Sequence, residues 1–472
     1  MALTVRPEDG DTICALSSAP GLGALAVVRA SGPRAYEVAR RLCPSLPEEI
    51  ESHRAHVGTL LEIGSPREPI DEAVIVPFAE GRSFTAEQTV EFSVHGSPTI
   101  VAGLLRELIA AGCRMARPGE FTYRSFMNGR LDLVQAESVL ALIESQSKEA
   151  ARASFRQLKG LLSREFSVLE DGLVWLLARL EASIDFSAEG IEITPVHELL
   201  ARVDELIARC RALLSSHDQG RILQDGLSVA LIGPPNVGKS SLLNALLEED
   251  RAIVTSEPGT TRDLVEGRLS LGGVVVRLVD TAGLRETANE AERIGIARSR
   301  AAAVEADVVL AVLDATADSA DGPDVLDPNR RVDGILLNKW DLIEDSADGP
   351  ASRDRVRRLR DLWLTARPGI WTLEVSARTG GGLSSVREAL RTRALRQPLG
   401  SGAVVLQARH FEVLKRIEMG LNAARRLIAE EASPDFVAFE LQEAVRCVHE
   451  LLGKRFDEQV IDRIFKEFCL GK

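Results

Sequence analysis

The order of hydrophobic and polar residues divides the chain into segments of three kinds. In residues 1 to about 125, short runs rich in β-branched residues end at turn-forming sequences. Ala24 to Arg29 (ALAVVR) ends at SGP, and Asp71 to Phe78 (DEAVIVPF) ends at AEG. Helical patterns such as Thr99 to Ala111 occur in the same segment. We therefore predict an α+β domain at the N-terminus.

Two other segments show the three- and four-residue spacing of amphipathic helices. The first covers about 130 to 222, and its apolar positions predict one long helix through Leu158, Leu161, Leu162, Phe166, Leu169, Leu173, Leu176, Leu177 and Leu180. The second follows a break at residues 398–402, with apolar positions at Leu414, Ile417, Leu421 and Ala424. We interpret both stripes as core-packing faces of helices.

Between these blocks, from 226 to about 390, strand-like and helical patterns alternate, which is typical of βαβ units around a parallel sheet. The simplest arrangement is one helical domain interrupted by an inserted α/β domain. The predicted boundaries are 1–125 for the α+β domain, 126–222 and 393–472 for the two helical parts, and 223–392 for the insertion.

Composition adds limits on compartment and partners. A chain of 472 residues is too long for one core. Its net charge of -13 argues against non-specific binding to a nucleic-acid backbone, although a local basic patch for a specific RNA remains compatible with it. The six cysteines form no CxxC pair, so neither a disulfide framework nor a zinc site is indicated. Without a signal-peptide pattern or a long apolar run, a cytoplasmic location is expected.

A phosphate-binding motif follows the first strand of the α/β segment. The run LSVALI leads into Gly233 to Ser240 (GPPNVGKS), and a helical pattern comes next. Its glycines let backbone N–H groups surround phosphate oxygens, and the helix N-terminus favours anions. We expect Lys239 to reach the β- and γ-phosphates and the Ser240 hydroxyl to bind magnesium.

Three further motifs each follow a predicted strand. The aspartate of DTAG, residues 280–283, is placed to hold the magnesium shell, and its glycine amide to sense a γ-phosphate. Asn338 to Asp341 (NKWD) supplies a carboxylate that accepts N1–H and the exocyclic amine of guanine and rejects adenine. Residues 376–378 (SAR) resemble the loop behind the base. Together these motifs predict a guanine-nucleotide-binding domain.

The source of catalytic help for hydrolysis is less direct. Thr261 resembles the threonine that completes the magnesium shell, in a loop expected to order around nucleotide. Leu284 stands where small GTPases commonly have the glutamine that orients water. Asn236 could bind a monovalent cation that supplies positive charge. The acidic side chains that could orient water, and among which spacing does not choose, are Glu286, Glu290 and Glu292.

Seven segments spread along the chain resemble one protein family. They are DTICALSSAPGLGALAVVRASGP, FTAEQTVEFSVHGSP, ARPGEFTYRSFMNGRLDLVQAE, GPPNVGKSSLLNAL, IVTSEPGTTRD, DTAGLRE…AERIGI and RIFKEFCLGK. The family is that of the MnmE (TrmE) tRNA modification GTPases. The nucleotide motifs are shared with many ribosome-assembly GTPases, whereas the flanking segments and the CLGK ending are more specific.

The resemblance implies an N-terminal α+β domain that forms a homodimer and binds a tetrahydrofolate derivative (5,10-methylene or 5-formyl), beside a helical domain and a Ras-like P-loop GTPase domain. It implies potassium-stimulated GTP hydrolysis coupled to dimerisation of the GTPase domains. With an MnmG-type flavoprotein that carries FAD, such proteins add a (carboxymethyl)aminomethyl group at carbon 5 of the wobble uridine of certain tRNAs. The folate supplies the one-carbon unit, and GTP cycling drives conformational change.

The resemblance also assigns residues. It implies potassium ligands at Asn236, Thr255, Glu257 and Thr260, magnesium ligands at Ser240 and Thr261, and, among the three glutamates, Glu292 as the residue that positions water. The complete set expected at GTP is Asn236, Val237, Gly238, Lys239, Ser240, Ser241, Thr255, Ser256, Glu257, Pro258, Gly259, Thr260, Thr261, Asp280, Thr281, Ala282, Gly283, Asn338, Lys339, Asp341, Ser376, Ala377 and Arg378.

For the folate, the matching positions are Arg29, Glu91, Arg130 and Lys472. On their own these residues would be read as solvated surface side chains. A carboxylate suits the edge of a pterin, and the cations suit the carboxylates of a glutamate tail. Two positions depart from the family pattern: Leu22 stands in GLG where GRG is common, and Arg130 replaces a frequent lysine, which keeps the charge but changes the donor geometry.

The resemblance places the C-terminal tail beside the folate. Cys469 has no neighbour in sequence that supplies a base, which favours a positioning role over covalent catalysis. Gly471 would let the chain bend close to its target, and Lys472 brings a charge.

Two other functions compete with this interpretation. A GTP-switched ribosome-assembly factor shares the nucleotide motifs, but the region after Gly402 has a helical pattern with no GxxG loop of an RNA-binding appendage. A GTPase domain that regulates a membrane process is the less favoured alternative, because the sequence shows neither a membrane segment nor a lipidation signal.

Overall fold

The computed structural model describes residues 10–64, 66–185, 194–234, 236–248, 266–280, 306–316, 331–344, 349–395, 402–455, 458–466, 468 and 471. Contacts between residues group the chain into two compact units. Unit 1 consists of residues 1–144, 154–214 and 409–472, and unit 2 of residues 145–153 and 215–408. Each unit is therefore built from segments that are distant in sequence.

Six strands of unit 1 form one sheet in the part of the chain that the structure describes. In chain order the strands and the helices among them are β1 (Thr12–Leu16), β2 (Leu25–Ser31), α1 (Ala35–Leu42), β3 (His56–Leu61), β4 (Pro69–Phe78), β5 (Thr89–His95), α2 (Pro98–Ala110) and β6 (Cys113–Met115). The strand order is β3-β4-β5-β2-β1-β6, antiparallel except for β1 beside β6. Alternating residues of β5 (Val90, Phe92 and Val94) are buried on one face, where α1 and α2 pack. The α+β prediction is confirmed.

The helices of unit 1 follow the sheet and return at the end of the chain. They are α3 (Glu120–Met127), α4 (Leu133–Ile143), α5 (Lys148–Leu158), α6 (Leu161–Asp185), α7 (Val196–Ser215), and later α13 (Ala408–Ala429), α14 (Pro434–Leu452) and α15 (Glu458–Lys466). The first residues of α5 belong to unit 2. The predicted stripe is buried through α6, at Leu162, Phe166, Leu169, Leu173, Leu176 and Leu180.

The prediction of one continuous helix from Leu158 was wrong at its start. Leu158 ends α5, and α6 begins only at Leu161. Gly160 separates them with a φ of 81°, a left-handed conformation that suits glycine and stops a helix. The apolar spacing continues across the break, which is why periodicity alone did not reveal it.

Unit 2 contains a second, mostly parallel sheet. Its elements are α8 (His217–Asp225), β7 (Leu227–Ile232), α9 (Lys239–Glu248), β8 (Glu266–Leu271), β9 (Val274–Asp280), β10 (Val308–Asp314), β11 (Gly334–Asn338), α10 (Trp340–Glu344), α11 (Gly349–Ala366), β12 (Trp371–Glu374) and α12 (Leu383–Ala394). The order of the described strands is β12-β11-β10-β7-β9-β8, and only β8 is antiparallel to its neighbour. The carboxyl ends of the parallel strands therefore lie at one edge, where ligands bind in open α/β sheets.

Candidate functional site

The phosphate loop connects β7 to α9, as the motif predicted. Gly233 and Gly238 have φ angles of 145° and 92°, which glycine adopts without strain. A Cβ atom at Gly233 would overlap the carbonyl oxygen of Val312, and one at Gly238 would overlap the side-chain amide of Asn338. Glycine is therefore required at both positions by conformation and by space.

Lys239 is the first residue of α9 and is buried. Its Nζ donates to the carbonyl oxygens of Gly233 and Pro234 at 2.8 and 2.6 Å. The ammonium is thus held over the loop beside a helix N-terminus, where phosphate oxygens are the matching acceptors. Ser240 and Ser241 lie in the same first turn, and Asn236 is exposed on the loop with a φ of 64°. These residues fit a nucleoside triphosphate.

Asn338 connects three parts of the site at the end of β11. It is buried; its Nδ2 donates to the carbonyl oxygen of Val237 at 2.8 Å, and its Oδ1 accepts from the amide N–H of Ala377 at 3.0 Å. The phosphate loop, the end of β11 and the loop after β12 are therefore joined by one side chain.

The carboxylate that the sequence predicts to read the base lies shortly after Asn338. Asp341 is 7% exposed; its Oδ1 accepts from the Ser376 hydroxyl at 2.6 Å, and its Oδ2 lies 2.9 Å from Nη2 of Arg378. A carboxylate held in place in this way is suited to the two adjacent donors of guanine.

Lys339, between Asn338 and Asp341, has a φ of 64°, and its Nζ lies 2.5 Å from Oδ2 of Asp314 at the end of β10. Burial alone would raise the pKa of Asp314, but the bonds from Lys339 and Thr316 outweigh it and hold the pKa below its ordinary value. The sequence motifs did not single out Asp314, although its position at the end of a buried strand was a usable signal.

Several predicted site residues lie outside the described part of the chain: Thr255, Ser256, Glu257, Pro258, Gly259, Thr260, Thr261, Thr281, Ala282, Gly283, Glu292, Cys469 and Lys472. Asp280 ends β9, and its backbone pairs with Leu231 of β7 beside the phosphate loop.

In unit 1 the structure brings together two of the predicted folate residues. Arg29 of β2 and Glu91 of β5 are paired in the strand register, and Nε and Nη2 of Arg29 donate to Oε1 of Glu91 at 2.9 and 2.7 Å. The guanidinium also lies 5.4 Å from the ring centres of both Phe84 and Phe121. Arg29 is largely buried rather than solvated. Arg130 follows α3, is exposed, and makes no hydrogen bond or ion pair with either residue in the described structure.

Sequence reasoning missed the contacts of Arg29 with Phe84 and Phe121. Aromatic residues make up only 4% of the chain, and both phenylalanines lie in segments that carry the family resemblance. That rarity was the available signal.

Two described residues near the C-terminus, Phe468 and Gly471, have close neighbours in unit 1. Gly471 has a φ of 91°, and a Cβ there would overlap the carbonyl oxygen of Leu16 at the end of β1. Phe468 is buried beside Gly119, which precedes α3. Gly471 therefore lies at the end of β1, which pairs with β2, the strand that carries Arg29.

A strand–loop–helix phosphate site together with a buried asparagine–aspartate pair at the ends of parallel strands defines a P-loop GTPase. The family model described as "MnmE helical domain" matches residues 133–469, and that described as "GTP-binding protein TrmE N-terminus" matches residues 12–130. The chain belongs to the MnmE family.

Relatives of similar length support the assignment. The chain is 43% identical to the tRNA modification GTPase MnmE of Bdellovibrio bacteriovorus, with 98% of each chain covered. It is 40% identical to the MnmE of Moorella thermoacetica, with 98% of this chain and 99% of the relative covered. A crystal structure of Aquifex aeolicus Era bound to GDP·AlF4⁻ is 26% identical over 41% of this chain and 66% of that chain, but its TM-score of 0.28 is too low to support a conclusion. Within the described residues, no helix has both the length and the apolar character that a membrane crossing needs.

Proposed function

We propose that this GTPase modifies tRNA. In the proposed reaction it acts in the cytosol with an MnmG-type flavoprotein, which holds FAD, and adds a (carboxymethyl)aminomethyl group to carbon 5 of the wobble uridine of certain tRNAs. The observation that carries the proposal is the buried Asp341–Ser376 pair, 2.6 Å apart, joined through the neighbouring Asn338 to the phosphate loop. The names of the full-length relatives, tRNA modification GTPases, supply the pathway.

The chain's own residues bind and orient GTP. Lys239 exchanges its loop carbonyls for phosphate oxygens, and Asp341 accepts the two donors of guanine. Ser240 and Thr261 would hold magnesium, and Asn236, Thr255, Glu257 and Thr260 would hold potassium; these cations supply positive charge near the phosphates. With Leu284 in place of a catalytic glutamine, Glu292 would hold the attacking water.

The proposed folate site is centred on the Arg29–Glu91 pair, and the fully buried ring of Phe121 supports Arg29 from inside the protein. The Glu91 carboxylate is partly exposed beside the Arg29 guanidinium, and a carboxylate of this kind suits the donor edge of a pterin. Arg130 and Lys472 would complete the site, with the tail held by Gly471 at Leu16. When bound, the folate supplies a one-carbon unit.

The domain boundaries predicted from the sequence belong to this proposal, as does a homodimer formed through the N-terminal domain. GTP binding would dimerise the GTPase domains and drive a conformational cycle, and potassium would accelerate hydrolysis.

Mass spectrometry of wobble nucleosides tests the proposal. Cells that lack this protein should lose the modified wobble uridine; the wild-type chain should restore it, and Lys239→Ala should not, because the phosphate site is disabled. A tRNA pool with the same wobble nucleosides in all three strains would contradict the proposed function.

A further inference from the structure

Both oxygens of the base-reading carboxylate have protein partners. The Ser376 hydroxyl donates to Oδ1 of Asp341 at 2.6 Å, and Nη2 of Arg378 lies 2.9 Å from Oδ2. Guanine, with N1–H and an exocyclic amine on one edge, needs an acceptor from each oxygen. The nucleotide must therefore share at least one oxygen with a protein donor.

The two protein donors approach from different sides. Ser376 is 2% exposed, so its hydroxyl bonds from the protein interior, and Oδ1 has a second lone pair for another donor. The side chain of Arg378 is 69% exposed, whereas that of Asp341 is only 8% exposed. Arg378 therefore reaches the carboxylate from the solvent side, which is also the side from which a base enters.

We propose that Arg378 competes with the exocyclic amine of guanine for Asp341 and thereby limits the preference of this chain for guanine over hypoxanthine. The inference rests on the proposed function, since it requires a guanine nucleotide at this site. Hypoxanthine has N1–H but no exocyclic amine, so it needs one carboxylate oxygen and leaves the other to Arg378. Guanine has to displace the guanidinium, and hypoxanthine does not.

An Arg378 that competes with guanine and an Arg378 that only positions Asp341 predict different nucleotide affinities when the side chain is removed. If Arg378 only held Asp341 in position, its removal would weaken both bases. If it competes, its removal frees Oδ2 and strengthens guanine alone. The ratio of the affinities for the two bases therefore separates the roles, because the phosphate contacts of GDP and IDP are the same.

The test is calorimetric titration of the full-length chain with Mg²⁺–GDP and Mg²⁺–IDP. Because an exposed ion pair is weak, Arg378→Ala should raise the affinity for GDP by up to about fivefold and leave that for IDP unchanged. Arg378→Lys keeps the charge but loses the planar fork and should fall between the two. Arg353→Ala removes an exposed positive charge from α11 and is the matched control, with the GDP/IDP ratio of the wild type.

Salt supplies an independent measurement. The ion pair is exposed on the arginine side, so raising ionic strength from about 0.05 M to about 0.5 M should screen it and bring the wild-type GDP/IDP ratio towards that of Arg378→Ala. An equal loss of GDP and IDP affinity in Arg378→Ala, or an unchanged ratio, would overturn the competing role. A wild-type chain that binds neither GDP nor GTP would instead contradict the proposed function itself.

Discussion

At the scale of single residues, the nucleotide site depends on side chains that join separate loops. Asn338 bonds to the phosphate loop at Val237 and to the loop after β12 at Ala377. Asp341 adds the contact to Ser376. Because each bond crosses between elements, a change at Asn338 affects the phosphate and base sides together.

Glu292→Gln should bind GTP with normal affinity but lose most hydrolysis. The reason is that Leu284 has no polar atom to orient water, and the proposed function gives this role to the carboxylate of Glu292. Loss of a positioned general base or water-orienting group typically lowers the rate by about 10²–10⁴-fold. Single-turnover hydrolysis in potassium buffer measures the effect.

Glu286→Gln and Glu290→Gln are matched controls in the same acidic segment and should hydrolyse GTP at near the wild-type rate. A near-normal rate for Glu292→Gln, with a large loss in either control, would transfer the role to that residue.

At the scale of elements, the start of α3 packs closely against α15. Gly119 precedes α3 with a φ of 71°, and a Cβ there would overlap the carbonyl oxygen of Phe465 in α15. Tyr123 of α3 contacts Phe465 edge-on, with ring centres 5.4 Å apart. Phe465 and Phe468 are therefore held beside the start of α3 by close packing.

Gly119→Ala should lower the free energy of unfolding and weaken the binding of a reduced folate. Gly129 has a φ of 70° but open space around it, so Gly129→Ala shares the backbone strain without the overlap. We expect Gly119→Ala to cost roughly 1–3 kcal/mol more than this control, because α15 must move. Urea unfolding measures the difference, and titration with a reduced folate should show weaker binding with unchanged GDP affinity. Equal stability of the two variants would argue against the packed tail.

At the scale of the whole molecule, side-chain contacts join segments of unit 1 that are far apart in sequence. Glu137 of α4 accepts from Nε and Nη2 of Arg409 at 2.8 Å each, and it lies 2.7 Å from Nε2 of His410. Glu137 and His410 are buried. Burial alone would raise the pKa of Glu137, but the neighbouring His410 and Arg409 side chains outweigh it and lower the pKa to about 2.

From the lowered pKa of Glu137 we predict that the free energy of unfolding decreases in acid. The folded pKa is below the ordinary value of 4.5, so the stabilisation is present above that pH and is lost as pH falls towards 2. The difference between the ordinary and the folded pKa of Glu137 corresponds to roughly 3 kcal/mol of the free energy of unfolding. Glu137→Gln should be less stable than wild type at pH 7, and the difference should shrink between about pH 5 and about pH 2.

Urea unfolding midpoints at several pH values measure this difference. Glu412→Gln replaces an exposed glutamate of α13 and should follow the wild type at every pH. A difference between Glu137→Gln and wild type that stays constant across the acid range would contradict the assignment.

The strand–loop–helix arrangement of the nucleotide motifs could be predicted from sequence because the motifs are short and lie at strand ends. The structure places Asn338, Asp341 and Ser376 together as expected, since parallel strands bring their carboxyl ends to one edge. The long helix was misread at Gly160 because apolar spacing does not register a left-handed residue. For the folate residues, sequence indicated Arg29 and Glu91 only through the family resemblance.

The sequence by itself determined the periodic helices and strands, the phosphate loop and the place of Asp341 after β11, because these depend on residues within a few positions of one another. Only the tertiary structure decided that Arg378 forms an ion pair with Asp341 and that Phe84 and Phe121 contact the guanidinium of Arg29. The close approach of Gly471 to Leu16 was likewise decided by the tertiary structure. Such contacts join residues brought together by packing, and no local pattern in the chain specifies which distant side chain arrives.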